Sequence, residues 1–195
     1  MKSIQVIALA LVFITAFSCK EAKKETEEAT EEIEETVDQV VETIDPEVIT
    51  FSMEPKSDSN VNGEVVFTQE NGNVTMKATF TGLDEGEHAI HLHEKADCSS
   101  ADGKSTGGHW NPTFEKHGKW GAEDGYHKGD IGNFTADADG NATVDFSTDE
   151  WCIGCDDEKK NILGKAVIVH QGVDDYTSQP SGAAGARIAC TGIIQ

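Results

Sequence analysis

Residues 73–81 (NVTMKATFT) alternate apolar and polar side chains without a break, which places Val74, Met76, Ala78 and Phe80 on one face. Alternate residues of a β-strand project to the same side, whereas a helical face needs a repeat near 3.6 residues. The pattern therefore predicts a half-buried antiparallel strand, with its apolar face turned towards a core.

Seven further short runs read as strands, and the turn pairs Asn71-Gly72 and Asp139-Gly140 separate some of them. The runs cover residues 48–53, 63–68, 87–93, 133–136, 142–147, 165–170 and 187–194. No convincing helical pattern follows residue 47. We therefore expect an all-β fold, a Greek-key β-sandwich or flattened barrel of about eight antiparallel strands.

One interval, residues 95–129, does not fit the strand pattern and is rich in Gly, Asp and His. Loops of this length are uncommon in compact domains and are usually functional. This one contains Cys98, His109, His117 and His127. With few apolar side chains to pack, we expect it to be ordered by bound metal and a disulfide.

Six of the seven histidines and one nearby aspartate form a candidate ligand set: His91, His93, His109, His117, His127, His170 and Asp130. Neutral imidazole is the commonest protein metal ligand, and zinc accepts it together with carboxylate. Four imidazoles without thiolate suit copper. In a strand, the HxH pair within HAIHLHE projects both rings from one face. That pair alone is weak support, but the full set predicts two metal ions.

Residues 1–18 combine an early lysine with an apolar run shorter than the roughly 20 residues of a membrane-spanning helix. The segment predicts an export signal. It ends in AFSC, which resembles the lipobox of bacterial lipoproteins and would make Cys19 an acylated anchor. An ordinary secretory signal is the alternative. Either interpretation exports the protein to an oxidising compartment, the periplasm or cell envelope.

Residues 19–47 form an acidic segment with no aromatic residue, so they cannot build a core of their own. We expect a solvated tether that leads into a single domain at residues 48–195. Four apolar residues recur in the segment at helical spacing, namely Ile33, Val37, Val40 and Ile44. An interaction segment is therefore the alternative to a simple tether.

The formal net charge of the chain is −21. A charge of this sign and size opposes binding to nucleic acid and adsorption to anionic membranes. We therefore expect no nucleic-acid partner, and contact with a membrane only through the lipid anchor at Cys19.

Several motifs in order resemble the metal and active-site segments of the copper, zinc superoxide dismutases: HAIHLHE, GGHWNP, KHG, HKGDIGN, VIVH and GARIAC. The resemblance covers nearly all of residues 48–194. It implies copper and zinc as cofactors and superoxide as the substrate, which is converted to oxygen and hydrogen peroxide.

The resemblance also assigns ligands by position. It implies copper ligands His91, His93, His109 and His170, and zinc ligands His109, His117, His127 and Asp130. His109 would then be shared as an imidazolate and would take part in proton delivery.

Two further residues match the family's pattern. Asp174 would accept hydrogen bonds from His91 and His117 and so fix both rings. Arg187 would attract and orient the superoxide anion beside the copper. A storage protein does not require such an arginine, so this residue favours catalysis.

Once Cys19 is assigned to acylation, four cysteines remain, an even number in an exported chain. By the resemblance, Cys98 and Cys190 form the family disulfide, which would pin the metal loop to the last strand. Cys152 and Cys155, in WCIGC, lie outside the shared pattern. They could close a local disulfide in a surface loop, or serve a redox or copper-acquisition role as a soft thiolate pair.

The sequence thus predicts an exported, lipid-anchored superoxide dismutase. The competing hypothesis is a lipoprotein of the same fold that buffers or delivers copper or zinc without turnover. A weaker one is an adhesion or scaffold module carried on the acidic stalk. Because dimer contacts vary within the family, a homodimer stays open.

Overall fold

The computed structural model describes residues 46–195, which form eight β-strands and one short 3-10 helix. The strands are β1 Glu47–Pro55, β2 Asn62–Glu70, β3 Asn73–Thr81, β4 Gly86–His93, β5 Gly132–Ala136, β6 Ala142–Thr148, β7 Ala166–His170 and β8 Arg187–Gly192. The alternating run at residues 73–81 is β3 as predicted. The expected export signal at residues 1–18, the anchor Cys19 and the tether up to residue 45 lie outside the described residues.

The strands form two four-stranded antiparallel sheets, β1-β2-β3-β6 and β5-β4-β7-β8. The sheets join where Glu54 and Pro55 at the end of β1 pair with Cys190 and Ala189 of β8. At the opposite edge β5 and β6 contact each other, so the barrel is nearly closed. The pairings β3–β6 and β4–β7 join strands distant in sequence, as Greek-key connections do. The predicted all-β fold is confirmed.

The core lies between the two sheets and consists of the inward side of each alternating strand. Val74, Met76, Ala78 and Phe80 of β3 are all buried in it. Phe80 stacks on Phe134 of β5 with ring centroids 5.4 Å apart, so this aromatic pair links the two sheets. Each fully buried aromatic or aliphatic side chain of this kind stabilises the fold by roughly 1.5–3 kcal/mol.

Strand β4 is buried on both faces, which sets the position of the histidines. Ile90 and Leu92 face the core, so His91 and His93 project from the outer face and are covered by the long loop that follows. His88 lies on the core side, with its ring between the carbonyl oxygens of Asp84 and His170. This seventh histidine is therefore structural.

The loop between β4 and β5 has little regular structure. It contains the 3-10 helix Lys104–Thr106 and an isolated bridge between His93 and His109. Backbone hydrogen bonds from Leu92 to Gly129 and from Trp110 to Leu92 hold the loop against β4. Within residues 46–195, no helix is long and apolar enough to cross a membrane.

Candidate metal centre

Four histidines converge on the outer face of β4 and β7. His91 and His93 project from β4, and His170 ends the neighbouring strand β7. The loop supplies His109 through its bridge to His93. One nitrogen from each of these four buried rings lies within 4.8 Å of the others. Three of the four donors thus stand on rigid strands.

A second group of donors lies directly beside the first and shares His109 with it. Its members are His109, His117, His127 and Asp130, with ligand atoms again within 4.8 Å of one another. The Asp130 carboxylate is fully buried and accepts hydrogen bonds from His109 Nδ1 at 2.9 Å and from the His127 backbone N–H at 2.8 Å. All four belong to the long loop between β4 and β5, with Asp130 two residues before β5 begins.

Buried ring nitrogens without hydrogen-bond partners point into both groups. They are His91 Nδ1, His109 Nε2, His117 Nδ1 and His127 Nδ1. The last two lie 2.9 Å and 3.3 Å from oxygens of Asp130, but without the geometry of a hydrogen bond. A buried polar atom left unpaired costs roughly 1–3 kcal/mol, so four in one place need an explanation. Coordination of a cation by each lone pair satisfies all four, and the donor sets fit that role.

The arrangement of His93 and His170 leads to the same conclusion. His93 Nδ1 lies 3.0 Å from the Gly107 carbonyl and His170 Nδ1 lies 3.4 Å from the Gly185 carbonyl. A carbonyl oxygen only accepts, so we assign the proton of each ring to Nδ1. The two Nε2 lone pairs then face each other at 3.4 Å, a contact that a bound cation would stabilise.

Burial keeps three of these rings neutral, as metal binding requires. Burial and the neighbouring imidazoles lower the pKa values of His93 and His170 well below the ordinary range. Burial also lowers the pKa of His109 to about 4, although Asp130 opposes the shift. His117 differs, because Asp130 and Asp174 outweigh its burial and raise its pKa to about 9.

A sequence comparison identifies the family to which this pair of sites belongs. The family described as copper/zinc superoxide dismutase (SODC) matches residues 61–194, which include every member of both donor groups. The chain belongs to the copper/zinc superoxide dismutase family. Copper and zinc are the metals this family uses, and the two donor groups offer suitable ligands for both.

Two curated relatives and one solved structure illustrate the similarity. Superoxide dismutase [Cu-Zn] 2 of Aquifex aeolicus (strain VF5) is 37% identical over 75% of this chain and 90% of its own length. Superoxide dismutase [Cu-Zn] 1 of the same organism is 38% identical over 68% of this chain and 79% of its own. A double mutant of a SOD-like protein from Bacillus subtilis superposes with a TM-score of 0.67 at 30% identity, covering 75% of this chain and 97% of that one.

In this member of the family, Asp174 connects the two donor groups. Its buried carboxylate accepts from His91 Nε2 at 2.9 Å and from His117 Nε2 at 2.8 Å. The Tyr176 backbone N–H donates to the same carboxylate at 2.7 Å. Protons held at Nε2 leave the Nδ1 lone pairs of both rings directed into the two groups. Asp174 thus contacts one ring of each donor group.

Three residues that the sequence reasoning missed hold this connection in place. Asn133 exchanges hydrogen bonds with the backbone of Asp174, and Gln179 does so with the backbone of His117. Gly182 has φ near +66°, and a Cβ there would lie 1.8 Å from Asp174 Oδ1. Only glycine fits this close approach. No spacing in the sequence signals these partners, since the loops that bring them together are irregular.

Arg187 stands in the wall of a cavity of about 590 Å³ that reaches His93, His109 and His170. Its Nη1 donates to the Gly103 carbonyl at 2.9 Å and to Thr106 Oγ1 at 3.0 Å. Because two acceptors hold one end of the guanidinium, the group has a fixed position beside the donor group.

Both pairs of cysteines named from the sequence form disulfides. Cys98–Cys190 ties the start of the long loop to β8 and spans a sequence separation of 92. Cys152–Cys155 closes a local loop with a separation of 3. The first therefore restricts the metal loop, whereas the second lies in a different segment, between β6 and β7.

Proposed function

We propose that this chain dismutates superoxide at a copper ion beside a zinc ion that orders the loop. The ligands would be His91, His93, His109 and His170 for copper, and His109, His117, His127 and Asp130 for zinc. One observation carries the proposal. His109 turns Nδ1 towards Asp130 and its unpartnered Nε2 away from it, so a single ring contributes to both groups.

When bound, copper supplies a one-electron couple, through which two superoxide ions and two protons become oxygen and hydrogen peroxide. Asp174 holds the His91 and His117 rings in orientation throughout. The zinc-side donors lie on the loop, so filling that group stabilises the conformation that carries His109.

Arg187 draws the anionic substrate into the cavity. Burial lowers the pKa of its guanidinium somewhat, but a guanidinium titrates so high that it stays cationic at neutral pH. The chain's net charge of −21 repels superoxide at long range. That repulsion is screened beyond about 10 Å at 0.1 M salt, whereas Arg187 acts within the cavity.

His109 is suited to handle the proton of the second half-reaction. Its Nδ1 is engaged by Asp130 at 2.9 Å, while its Nε2 has no hydrogen-bond partner and faces the four-histidine group. At times when Nε2 holds no metal, a proton taken up there would lie next to the cavity where peroxide forms. The ring can therefore pass that proton to the product.

The test uses the purified full chain loaded with copper and zinc, beside Arg187→Ala and the matched control Lys77→Ala. Lys77 is an exposed cation on β3. We expect rapid dismutation, one copper and one zinc per chain, and a loss of at least about tenfold on removing the oriented cation of Arg187. Full metal loading without turnover would contradict the proposal and favour a metal-buffering protein.

We further propose that the protein is exported to the periplasm or cell envelope and anchored by a lipid on Cys19, with residues 20–47 as the tether. The apolar segment and the AFSC sequence support this proposal. Labelled fatty acid should enter the wild-type protein but not Cys19→Ser, which should move to the soluble envelope fraction. Equal labelling of both proteins would exclude the anchor.

A homodimer is the assembly we propose. Among the described residues, Val48, Phe114, Val173 and Ile194 are large exposed apolar side chains, and Phe114 is 92% exposed. A second copy packed over Phe114 would bury an apolar ring that is otherwise in water. Light scattering of the full chain would give twice the monomer mass, and a mass of 21.0 kDa would exclude the dimer.

A further inference from the structure

The loop that carries Cys152 and Cys155 is shaped by contacts other than its disulfide. The Cys152 N–H donates to the Lys160 carbonyl at 2.8 Å, and the Cys152 carbonyl accepts from Ile162 at 3.0 Å. The Ile153 N–H donates to Gln69 Oε1 of β2 at 2.7 Å. These bonds anchor the first arm of the loop to the barrel.

Asn161 fixes the other arm. Its side-chain oxygen accepts from the N–H groups of Gly154 at 3.1 Å and Leu163 at 3.0 Å, and its Nδ2 donates to the Cys155 carbonyl at 3.0 Å. The two cysteine Cα atoms are therefore held 6.0 Å apart by a network that does not involve sulfur. Two thiols at these positions would stay close together after the S–S bond opened.

The disulfide itself is accessible and restricts little of the chain. Cys152 and Cys155 are both partly exposed, whereas the other disulfide has one partly exposed cysteine, Cys98, and one fully buried, Cys190. The sequence separation is 3 for Cys152–Cys155 and 92 for Cys98–Cys190. A short loop restricts the unfolded chain least, so its disulfide contributes least to stability. The bond is thus open to exchange with an external thiol.

The donor atoms of the reduced cysteine pair determine which metal ion it prefers. Thiolates are soft donors that favour copper(I) or zinc. Zinc requires four ligands in a closed site, yet within residues 46–195 the only convergent groups of three or more metal-binding side chains are the two histidine groups. Copper(I), in contrast, forms a stable complex with only two thiolates in a linear arrangement. The exposed acids Asp156, Asp157 and Glu158 follow immediately, and they outnumber the two exposed lysines, Lys159 and Lys160, that come next.

We propose that Cys152 and Cys155, once reduced, form a copper(I)-binding site on the surface of this protein. The site is distinct from the histidine groups, and it would bind copper whether or not the histidine centre turns over superoxide. Residues close to the pair in sequence line a cavity that extends towards the histidine groups, which favours a role in copper supply. Glu158 and Asn161 line a cavity of about 550 Å³ that shares Glu94 and Asn111 with the cavity over the histidines.

Two balanced steps describe the binding. An external dithiol gives two electrons and two protons, so that the Cys152–Cys155 bond breaks, two thiols form, and the dithiol becomes a disulfide. Copper(I) then displaces both thiol protons and bonds to both sulfurs. Neither copper nor sulfur changes oxidation state in this second step.

The experiment titrates the full chain with copper(I), presented anaerobically as its bicinchoninate complex after brief dithiol treatment and removal of the dithiol. Wild type is compared with Cys152→Ser/Cys155→Ser, which keeps Cys19 and the Cys98–Cys190 pair. We expect wild type to expose two additional thiols and bind one additional copper(I) per chain, with thiolate-to-copper absorption in the ultraviolet. Zinc uptake should be equal in both proteins.

Two further samples distinguish a loss of copper(I) binding from misfolding of the double variant. Untreated wild type, with the disulfide closed, should bind the same copper(I) as the double variant. Cys155→Ser, which keeps one thiol, should lose the additional copper. Equal copper(I) binding by reduced and untreated wild type would overturn the proposal. So would zinc binding at the pair, or a Cys152–Cys155 bond as resistant to dithiol as Cys98–Cys190.

Discussion

The two halves of the metal centre are built in different ways. The half proposed for copper takes His91, His93 and His170 from paired strands, whose positions the barrel core already fixes. The half proposed for zinc takes His117 and His127 from a loop with little regular structure. A strand scaffold keeps its donors in place without metal, whereas a loop of polar residues depends on its ligands for order. We therefore expect activity to be most sensitive to changes in the first half, and stability to changes in the second.

The largest effect should come from His170→Ala. Removing this strand-borne donor leaves three imidazoles and an open position, so dismutation should be abolished while zinc content and the unfolding midpoint stay near wild type. Metal analysis, activity and thermal unfolding on one sample test this. His127→Ala is the matched control. It should show the opposite result, with zinc content and the unfolding midpoint reduced more than dismutation. Equal loss of zinc in both variants would remove the distinction between the halves.

Asp130→Asn should give the largest loss of stability. The buried carboxylate accepts from His109 and from the backbone N–H groups of Gly118 and His127. Removing one partner of a buried charged network costs about 3 kcal/mol, and here it also weakens zinc binding. Denaturant unfolding of the zinc-loaded protein measures this, with Asp124→Asn, an exposed loop acid, as the control. A change below that of the control would contradict the prediction.

Asp174→Asn should affect both halves together, because its carboxylate contacts one ring in each. Losing such a partner commonly weakens metal affinity by roughly 10- to 100-fold. Chelator competition for copper and for zinc should show both affinities falling. Asp175→Asn, its exposed neighbour, should leave both unchanged. A fall in one affinity alone would show that Asp174 does not connect the halves.

Without metal, the free energy of unfolding of the protein should depend on pH. His109 has its pKa lowered to about 4, and His117 has its pKa raised to about 9. The unfolded chain titrates near 6.5. As pH falls from there towards 4, the unfolded chain binds a proton that folded His109 does not, so the free energy of unfolding decreases. As pH rises towards 9, the unfolded chain releases a proton that folded His117 keeps, and the stabilisation from His117 is lost.

The metal-free protein should therefore be most stable near the middle of this range. Bound metal should flatten the profile, because coordinated rings no longer exchange those protons. Urea unfolding of metal-free and metal-loaded protein at several pH values tests both points. Identical profiles for the two forms would exclude coordination by these rings.

Much of the fold could be predicted because it rests on periodicity. The run at residues 73–81 is β3 as expected. Its alternate residues Val74, Met76, Ala78 and Phe80 face the core, as the alternation requires. The HxH pair was placed on one strand face by the same reasoning, and the structure shows both rings there. Periodicity does not show which histidines group together. The motifs that resemble the family, taken in their order along the chain, predicted that grouping and the contact of Asp174 with two rings.

The remainder could not be predicted, because it depends on where irregular loops meet. Gln179 holds His117 across 62 residues of sequence, and Gly182 matters only because Asp174 comes so close to it. The WCIGC motif likewise does not indicate that the Asn161 side chain hydrogen-bonds to the backbone of Gly154 and Cys155. Such contacts follow from tertiary packing and leave no repeat or spacing in the chain.

The single ring of His109, which contributes to both groups, has a thermodynamic consequence. An ion on one of its nitrogens changes the basicity of the other, so the affinities for copper and zinc are linked. By reciprocity, any factor by which zinc strengthens copper binding is also the factor by which copper strengthens zinc binding. The two halves differ in construction, but they share one binding equilibrium.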